Sequence, residues 1–353
     1  LGGGGKAPSL RVSALRMNAF RKAGLTLGRF PSGPRAAITD VPGVRVGHCT
    51  LIEGEGFQAI RTGVTAIVPP GDPYAEPLST GIFVLHGHGK ALGLWQIQDV
   101  GELETPILLT NTLAVFACAE ALLTWTLRRH PEARSINPVV LECNDGRLSA
   151  IELRPVREEH ALLALEGAKE EVGEGCVGAG TGMIAFGYKS GIGTAARIVG
   201  GFTLGALALP NMGRPEDFRF PGSEKSSLAA SGGGGQGEGD KGSLIVVLAT
   251  DAPLLPSQLS RLCRRAALGA ARTGAPADTG SGDFFLAFST TLRFPRGLEK
   301  VAVEIIPDRS RLIGELYRAA AEATEEAIYS ALLSASPVEG REGKIPPVFR
   351  PTG

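Results

Sequence analysis

Between residues 231 and 243 the chain changes character within a single position. Residues 231–242 read SGGGGQGEGDKG, almost all glycine and charge, and from Ser243 the sequence continues SLIVVLATDAPL. The first stretch buries too little apolar surface to offset the entropy of ordering it, and it reads as a mobile, exposed linker over 219–242. The second is a run of β-branched and aliphatic residues without polar alternation, the pattern of a strand covered on both faces. Ser243, preceded by Gly242, therefore stands where a floppy segment enters a core. One reading is simply a linker that ends before a strand. The other is an N-terminal nucleophile. Ser243 Oγ attacks the unhindered carbonyl of Gly242, the acyl group moves from nitrogen to oxygen, and water releases it. The freed α-amine, with a reference pKa of about 7.7 to 8.0, then serves as general base for its own hydroxyl, and no histidine is required.

The 353 residues suffice for one large or two ordinary domains. The 36 basic and 36 acidic residues cancel, which argues against nucleic acid or an acidic membrane surface as partner. Forty-nine glycines without a collagen period point to tight turns and close backbone contacts. Cys49, Cys118, Cys143, Cys176 and Cys263 are odd in number and contain no C-x-x-C, as expected of reduced thiols in a cytoplasmic protein. No apolar run is long enough to span a bilayer, and the Gly-rich leader, 1–35, shows no signal-peptide pattern.

Strands are expected in 36–50, in 63–70, in GIFVLHGHGKALG and in 106–112, followed by an amphipathic helix, LAVFACAEALLTWTLRRH. Residues 137–153 read as a strand, a polar turn and a second strand. That turn carries Glu142, Asn144, Asp145 and Arg147, either as a solvated loop or as groups that grip a substrate ammonium. His86 and His88, two apart, lack a third ligand at a telling distance, so no metal site is assigned. Gly173, Gly175 and Gly178 satisfy G-x-G-x-x-G but follow a charged helical stretch rather than a strand. The nucleotide reading is rejected in favour of backbone packed on backbone. Lys189 is the one long charge in the apolar stretch that follows. Asn211, at the end of a further strand, is either a turn residue or an oxyanion donor. Beyond Ser243, PLLPSQLSRLCRRAALGAARTG is a helix, 279–290 a buried strand with Ser281 and Asp283 at its mouth, VAVEIIP a strand, and SRLIGELYRAAAEATEEAIYSALLSA a long helix. Many short strands with few long helices favour a layered α+β architecture.

The pieces ITDVPGVRVGH, RTGVTAIVP, TPILLTNT, ECNDG, GAGTGM with KSGIGTAAR, Asn211, GSLIVVLATDAPL and SGDFFLAFST, in this order over nearly the whole chain, resemble the L-aminopeptidase/D-amidase/esterase family of self-processing peptidases, which includes the β-aminopeptidases. The resemblance implies a four-layer αββα sandwich of N-terminal-nucleophile-like type. It implies cleavage between Gly242 and Ser243 into an α chain, 36–242, and a β chain, 243–353, and a homo-oligomer of these processed heterodimers. The substrate would be a small peptide, amide or ester, with no cofactor. It carries over Ser243 as nucleophile and base, Asn211 as oxyanion donor, Ser281 and Asp283 as the pair that holds the new amine, and Lys189 as a further site residue. Glu142 and Asn144 become contacts to the substrate amine. HGHGK, with His86, His88 and Lys90, stands where Asn-Gly-Asn-Gly-Glu is expected, and Arg147 where an aromatic is expected. A cationic Arg147 would suit a carboxylate-bearing substrate. Transfer of the acyl group to an amine, as in the distantly similar ornithine acetyltransferases, and an uncut binding protein are the competing readings.

Overall fold

This computed structural model describes residues 17–221 and 242–351; most of the linker expected at 219–242 and the first part of the leader lie outside the described residues. The strands are β1 (Arg45–Glu53), β2 (Ile60–Val68), β3 (Leu78–Gly87), β4 (Glu102–Leu103), β5 (Ile107–Thr110) and β6 (Val139–Glu142), then β7 (Ile184–Ala185), β8 (Tyr188–Lys189), β9 (Gly193–Val199), β10 (Phe202–Asn211), β11 (Ser243–Thr250) and β12 (Gly282–Arg293). The α-helices are α1 (Ala19–Lys22), α2 (Leu94–Val100), α3 (Val115–Leu127), α4 (Glu158–Glu166), α5 (Pro256–Arg272) and α6 (Arg311–Leu333).

Two sheets carry the architecture, one ordered β1-β2-β5-β6 and the other β4-β3-β12-β11-β10-β9. Side-chain alternation sorts each strand between layers. On β11, Ile245, Val247 and Ala249 enter the core between the sheets, while Leu244, Val246 and Leu248 face the layer of α5 and α6. On β6, Val139 and Leu141 meet the same inter-sheet core, and Val140 packs among residues of α3 and α4. The result is four layers, αββα, as the sequence led us to expect. Both sheets are covered twice, which is why these strands read as unbroken apolar runs. Each fully buried aliphatic side chain contributes roughly 1.5–3 kcal/mol relative to exposure.

The helices start as their sequences dictate. Pro256 occupies the first turn of α5, where a missing N–H costs nothing, and the Gln258 side chain accepts from Leu255 N at 2.8 Å. Ser310 caps α6 by accepting from Leu312 N. Among the described residues, no helix is long and apolar enough to cross a membrane.

Two expectations fail. The second strand of the 137–153 hairpin does not form. β6 pairs in parallel with β5 instead, and the chain after it turns into a loop and a short 3-10 helix, Ile151–Leu153, fixed by Ala150 N on Ala59 O. VAVEIIP is not a strand either: it lies in no sheet, and Val301, Val303 and Ile305 are exposed. Alternation alone proposes a strand, but a strand needs a neighbour's backbone to bond to. The Gly-rich region of 173–200 does pack backbone on backbone, since a Cβ at Gly191 would lie 1.9 Å from Gly175 O.

Candidate active site

Register brings the residues at the start of β11 together. In the antiparallel pair β10–β11, Asn211 lies opposite Ser243; in the parallel pair β11–β12, Ser243 lies beside Gly282 and Leu244 beside Asp283. The carbonyl oxygen of Gly242 accepts from Ser243 Oγ at 2.8 Å and from Gly282 N at 3.1 Å. The bond before Ser243 thus has a hydroxyl and a fixed N–H on one oxygen. Gly282 must be glycine, because a Cβ there would lie 2.8 Å from Gly89 backbone atoms.

Asn211 is buried and held at both ends of its amide. Its Oδ1 accepts from Ile184 N at 3.1 Å, and its Nδ2 donates to Asn144 O at 2.9 Å. An amide nitrogen has two hydrogens, so a second donor remains after that bond.

Ser281 and Asp283 are buried and joined, with Ser281 Oγ donating to Asp283 Oδ1 at 2.8 Å, while Asp283 Oδ2 has no hydrogen-bond partner among the described residues. Burial raises the Asp283 carboxyl above the usual carboxylate range, against the Ser281 hydrogen bond and the nearby His86. Side-by-side residues of a parallel pair share a face, so Asp283 lies on the Leu244 side of the sheet, opposite to the Ser243 side chain. Ser281 shares a small recess with Met212, Gly213 and Gly242, so this pair addresses the main chain at the 242–243 bond. The carbonyl of Ser281 is itself clamped, by His86 Nδ1 at 2.8 Å and His88 N at 3.1 Å. Nδ1 of His86 must carry a proton, since a carbonyl only accepts. A register shift in β3 opposite Asp283 and Phe284 turns His86 toward this carbonyl, and His88 lines the neighbouring pocket.

That pocket, about 370 Å³, is lined by Ser243 with Asn211, Glu142, Asn144, Arg147 and Lys90, among others. Glu142 is buried at the end of β6; its Oε1 accepts from Lys90 N at 2.7 Å and its Oε2 from the Thr112 hydroxyl. Asn144 forms an Asx turn by accepting from Gly146 N at 2.9 Å, and its backbone carbonyl orients Asn211.

Lys189 is not brought to the pocket. It is fully buried, and its ammonium donates to the carbonyls of Ser190 at 2.6 Å, Met183 at 2.9 Å and Gly180 at 3.4 Å, with burial pushing its pKa down. Met183 precedes Ile184, whose N–H holds Asn211, so the lysine acts on the site two links away.

Sequence reasoning missed Gly282 N–H, Thr112 and the histidine clamp on Ser281. Asp145 is buried beside Thr62 and Asn111, its Oδ1 has no hydrogen-bond partner among the described residues, and burial pushes its pKa up to about 7. The sequence names Asp145 only as part of a turn; its burial is invisible there. A larger recess, about 960 Å³, lies between α1 and β1 beside Glu174 and His48, but none of the nucleophile residues lines it.

Comparison with known proteins places the chain in a family. The model of "Peptidase family S58" matches residues 36–345. A beta-peptidyl aminopeptidase BapA of Sphingosinicella xenopeptidilytica is 39% identical over 333 residues, covering 87% of this chain and 83% of that protein. The structure of a Burkholderia sp. beta-aminopeptidase superposes with TM-score 0.85 at 41% identity, over 94% of this chain and 95% of that one. The L-aminopeptidase D-ala-esterase/amidase of Ochrobactrum anthropi, described as a variant of the Ntn hydrolase fold, superposes with TM-score 0.82 at 35% identity, over 94% and 95%. With a match across most of its length and the same layered fold, this chain belongs to peptidase family S58.

Proposed function

We propose that the chain cuts itself between Gly242 and Ser243 and then, as a two-chain enzyme, removes N-terminal α- or β-amino acid residues from small peptides, amides or esters. The observation that carries this is the double hydrogen bond to Gly242 O, from Ser243 Oγ and Gly282 N, with Asn211 in register on the other side. Oγ is thereby within reach of the carbonyl carbon, and the N–H already lies on the oxygen that becomes negative. Attack forms an Oγ–C bond, the C–N bond breaks, nitrogen takes the proton, and water hydrolyses the ester. The α-amine of Ser243 is then free. The partnerless oxygen of Asp283, on the main-chain side of this bond, is available to orient it.

Substrate hydrolysis repeats the cycle intermolecularly. The amine takes the Ser243 proton, the oxyanion forms toward Asn211, and the acyl-enzyme is released by water. Glu142, an anion in the pocket wall, receives the substrate ammonium, with Asn144 beside it. The names of the relatives support α- and β-residues alike as the released unit.

The assembly is a homo-oligomer of processed heterodimers; Leu298, Val301, Val303 and Ile305, exposed along an unpaired segment, support an apolar contact between copies. Five free cysteines support a cytoplasmic setting.

A denaturing gel with intact-mass analysis tests the reading. Wild type gives two fragments, one beginning at Ser243, and Ser243→Ala gives one uncut, inactive chain. A wild-type preparation that is active yet uncut overturns it.

A further inference from the structure

The pocket beside Ser243 holds two opposite charges on adjoining pieces of backbone. Glu142 is 2% exposed, and the partners of its oxygens, Lys90 N and the Thr112 hydroxyl, are neutral donors. Its negative charge therefore meets no cation among the described residues. Lys90 is exposed, and its ammonium donates at 3.0 Å to the carbonyl of His88, which carries no charge to balance it. Because the main-chain N–H of Lys90 sits on Glu142 at 2.7 Å, the ammonium lies within one lysine side chain plus one hydrogen bond of that carboxylate. Arg147 adds a second cation to the wall.

A ligand that completes these charges carries an ammonium and a carboxylate close together. An N-terminal residue with an uncharged side chain supplies only the ammonium and leaves Lys90 unmatched. A β-linked aspartyl residue supplies both on one carbon, with the reactive carbonyl one methylene away. An α-linked aspartyl residue sets the two charges one carbon further apart. Resting on the aminopeptidase reading above, we propose that this pocket selects an N-terminal residue bearing its own carboxylate, β-linked aspartate foremost, with the ammonium at Glu142 and the carboxylate at Lys90.

The test uses the processed enzyme and matched p-nitroanilides: β-aspartyl, its counterpart with the free carboxylate replaced by carboxamide, α-aspartyl, and β-alanyl. A β-alanyl dipeptide and its C-terminal amide form a further pair, which places the carboxylate on the leaving residue instead. We expect kcat/KM for β-aspartyl anilide to exceed that of its carboxamide counterpart by about tenfold, with the ratio shrinking as salt rises. In Lys90→Met the ratio falls toward one. It is taken within each preparation, and each is first checked for cleavage before Ser243, so a loss of folding does not imitate the result.

A wild-type ratio of one or less, with β-alanyl anilide still hydrolysed, overturns the inference and leaves the aminopeptidase reading standing. So does a ratio that survives Lys90→Met. Preference confined to the dipeptide over its amide overturns the assignment of the carboxylate to the released residue. A fully cut enzyme that hydrolyses no aminoacyl substrate overturns the reading beneath as well.

Discussion

Two buried charge clusters in this molecule are built by opposite rules. Beneath α6, Arg197 has no exposed surface, and it donates to Glu322 at 3.3 Å, to Glu326 at 2.8 Å and to the carbonyls of Ala196 and Leu27. Glu326 also accepts from Asn18 and Arg21. Every charge there is matched. By contrast, Asp283, beside Leu244 of β11, and Asp145, next in the chain to Asn144, are buried, and among the described residues each has one oxygen without a hydrogen bond. A desolvated, partnerless acceptor costs stability, so its presence beside a nucleophile marks a place where protons or ligands are handled. The first cluster is complete within the fold; the second leaves acceptors open at or near the proposed site. Lys189, with three carbonyls on its ammonium, belongs with the first kind although the sequence placed it with the second.

The sharpest way to break this contrast is Arg197→Met. It removes the cation from Glu322 and leaves Glu326 with Arg21 and Asn18, and it is expected to cost about 3 kcal/mol in denaturant unfolding, while kcat of the folded fraction holds. A large loss of kcat at unchanged stability would make that cluster part of the site. Asn211→Ala is the mirror image. If the proposed oxyanion role of Asn211 holds, kcat falls about 10²- to 10³-fold with little change in thermal midpoint.

Asp145→Asn examines the incomplete cluster through pH. Burial raises the Asp145 pKa to about 7, so the folded state binds the proton more tightly than the unfolded one. Its stabilising contribution is whole below the unfolded value near 4 and is lost as pH rises to about 7, on the order of 4 kcal/mol. Thermal midpoints of wild type should therefore decline between pH 4 and 7, and Asp145→Asn should flatten that slope. Glu174, raised to about 7 likewise by burial, slopes in the same direction and remains in the variant. A variant with the full wild-type slope would show that Asp145 is not the titrating group. The smallest effect separates pairing from burial: Arg311 and Glu315 are bonded at 2.9 Å on α6, but Arg311 is almost fully exposed. Glu315→Gln should change stability by less than about 0.5 kcal/mol.

Much of this was legible in the residues. The strand at Ser243, the helices α5 and α6, and the meeting of Ser243, Asn211, Ser281 and Asp283 all follow from local pattern and from the ordered set of motifs. The errors fall where pattern needs a partner. VAVEIIP alternates like a strand but finds no sheet edge, and the chain after β6 becomes a loop because β6 takes β5 as its neighbour. His86 and His88 would point the same way on a continuous strand, yet β3 ends at Gly87, so the His86 ring bonds the Ser281 carbonyl while His88 lines the pocket.

The sequence by itself determined the layers. Period-two and period-3.6 patterns are local, and burying them leaves few arrangements besides helices outside two facing sheets. Tertiary structure alone decided which charges are satisfied. Whether a carboxylate is matched depends on groups hundreds of positions away, as Glu326 is by Asn18, or on their absence, as at Asp283. It is burial and distance across the fold, neither written in the order of residues, that set Lys189, enclosed by three carbonyls, apart from Ser243, open to the pocket.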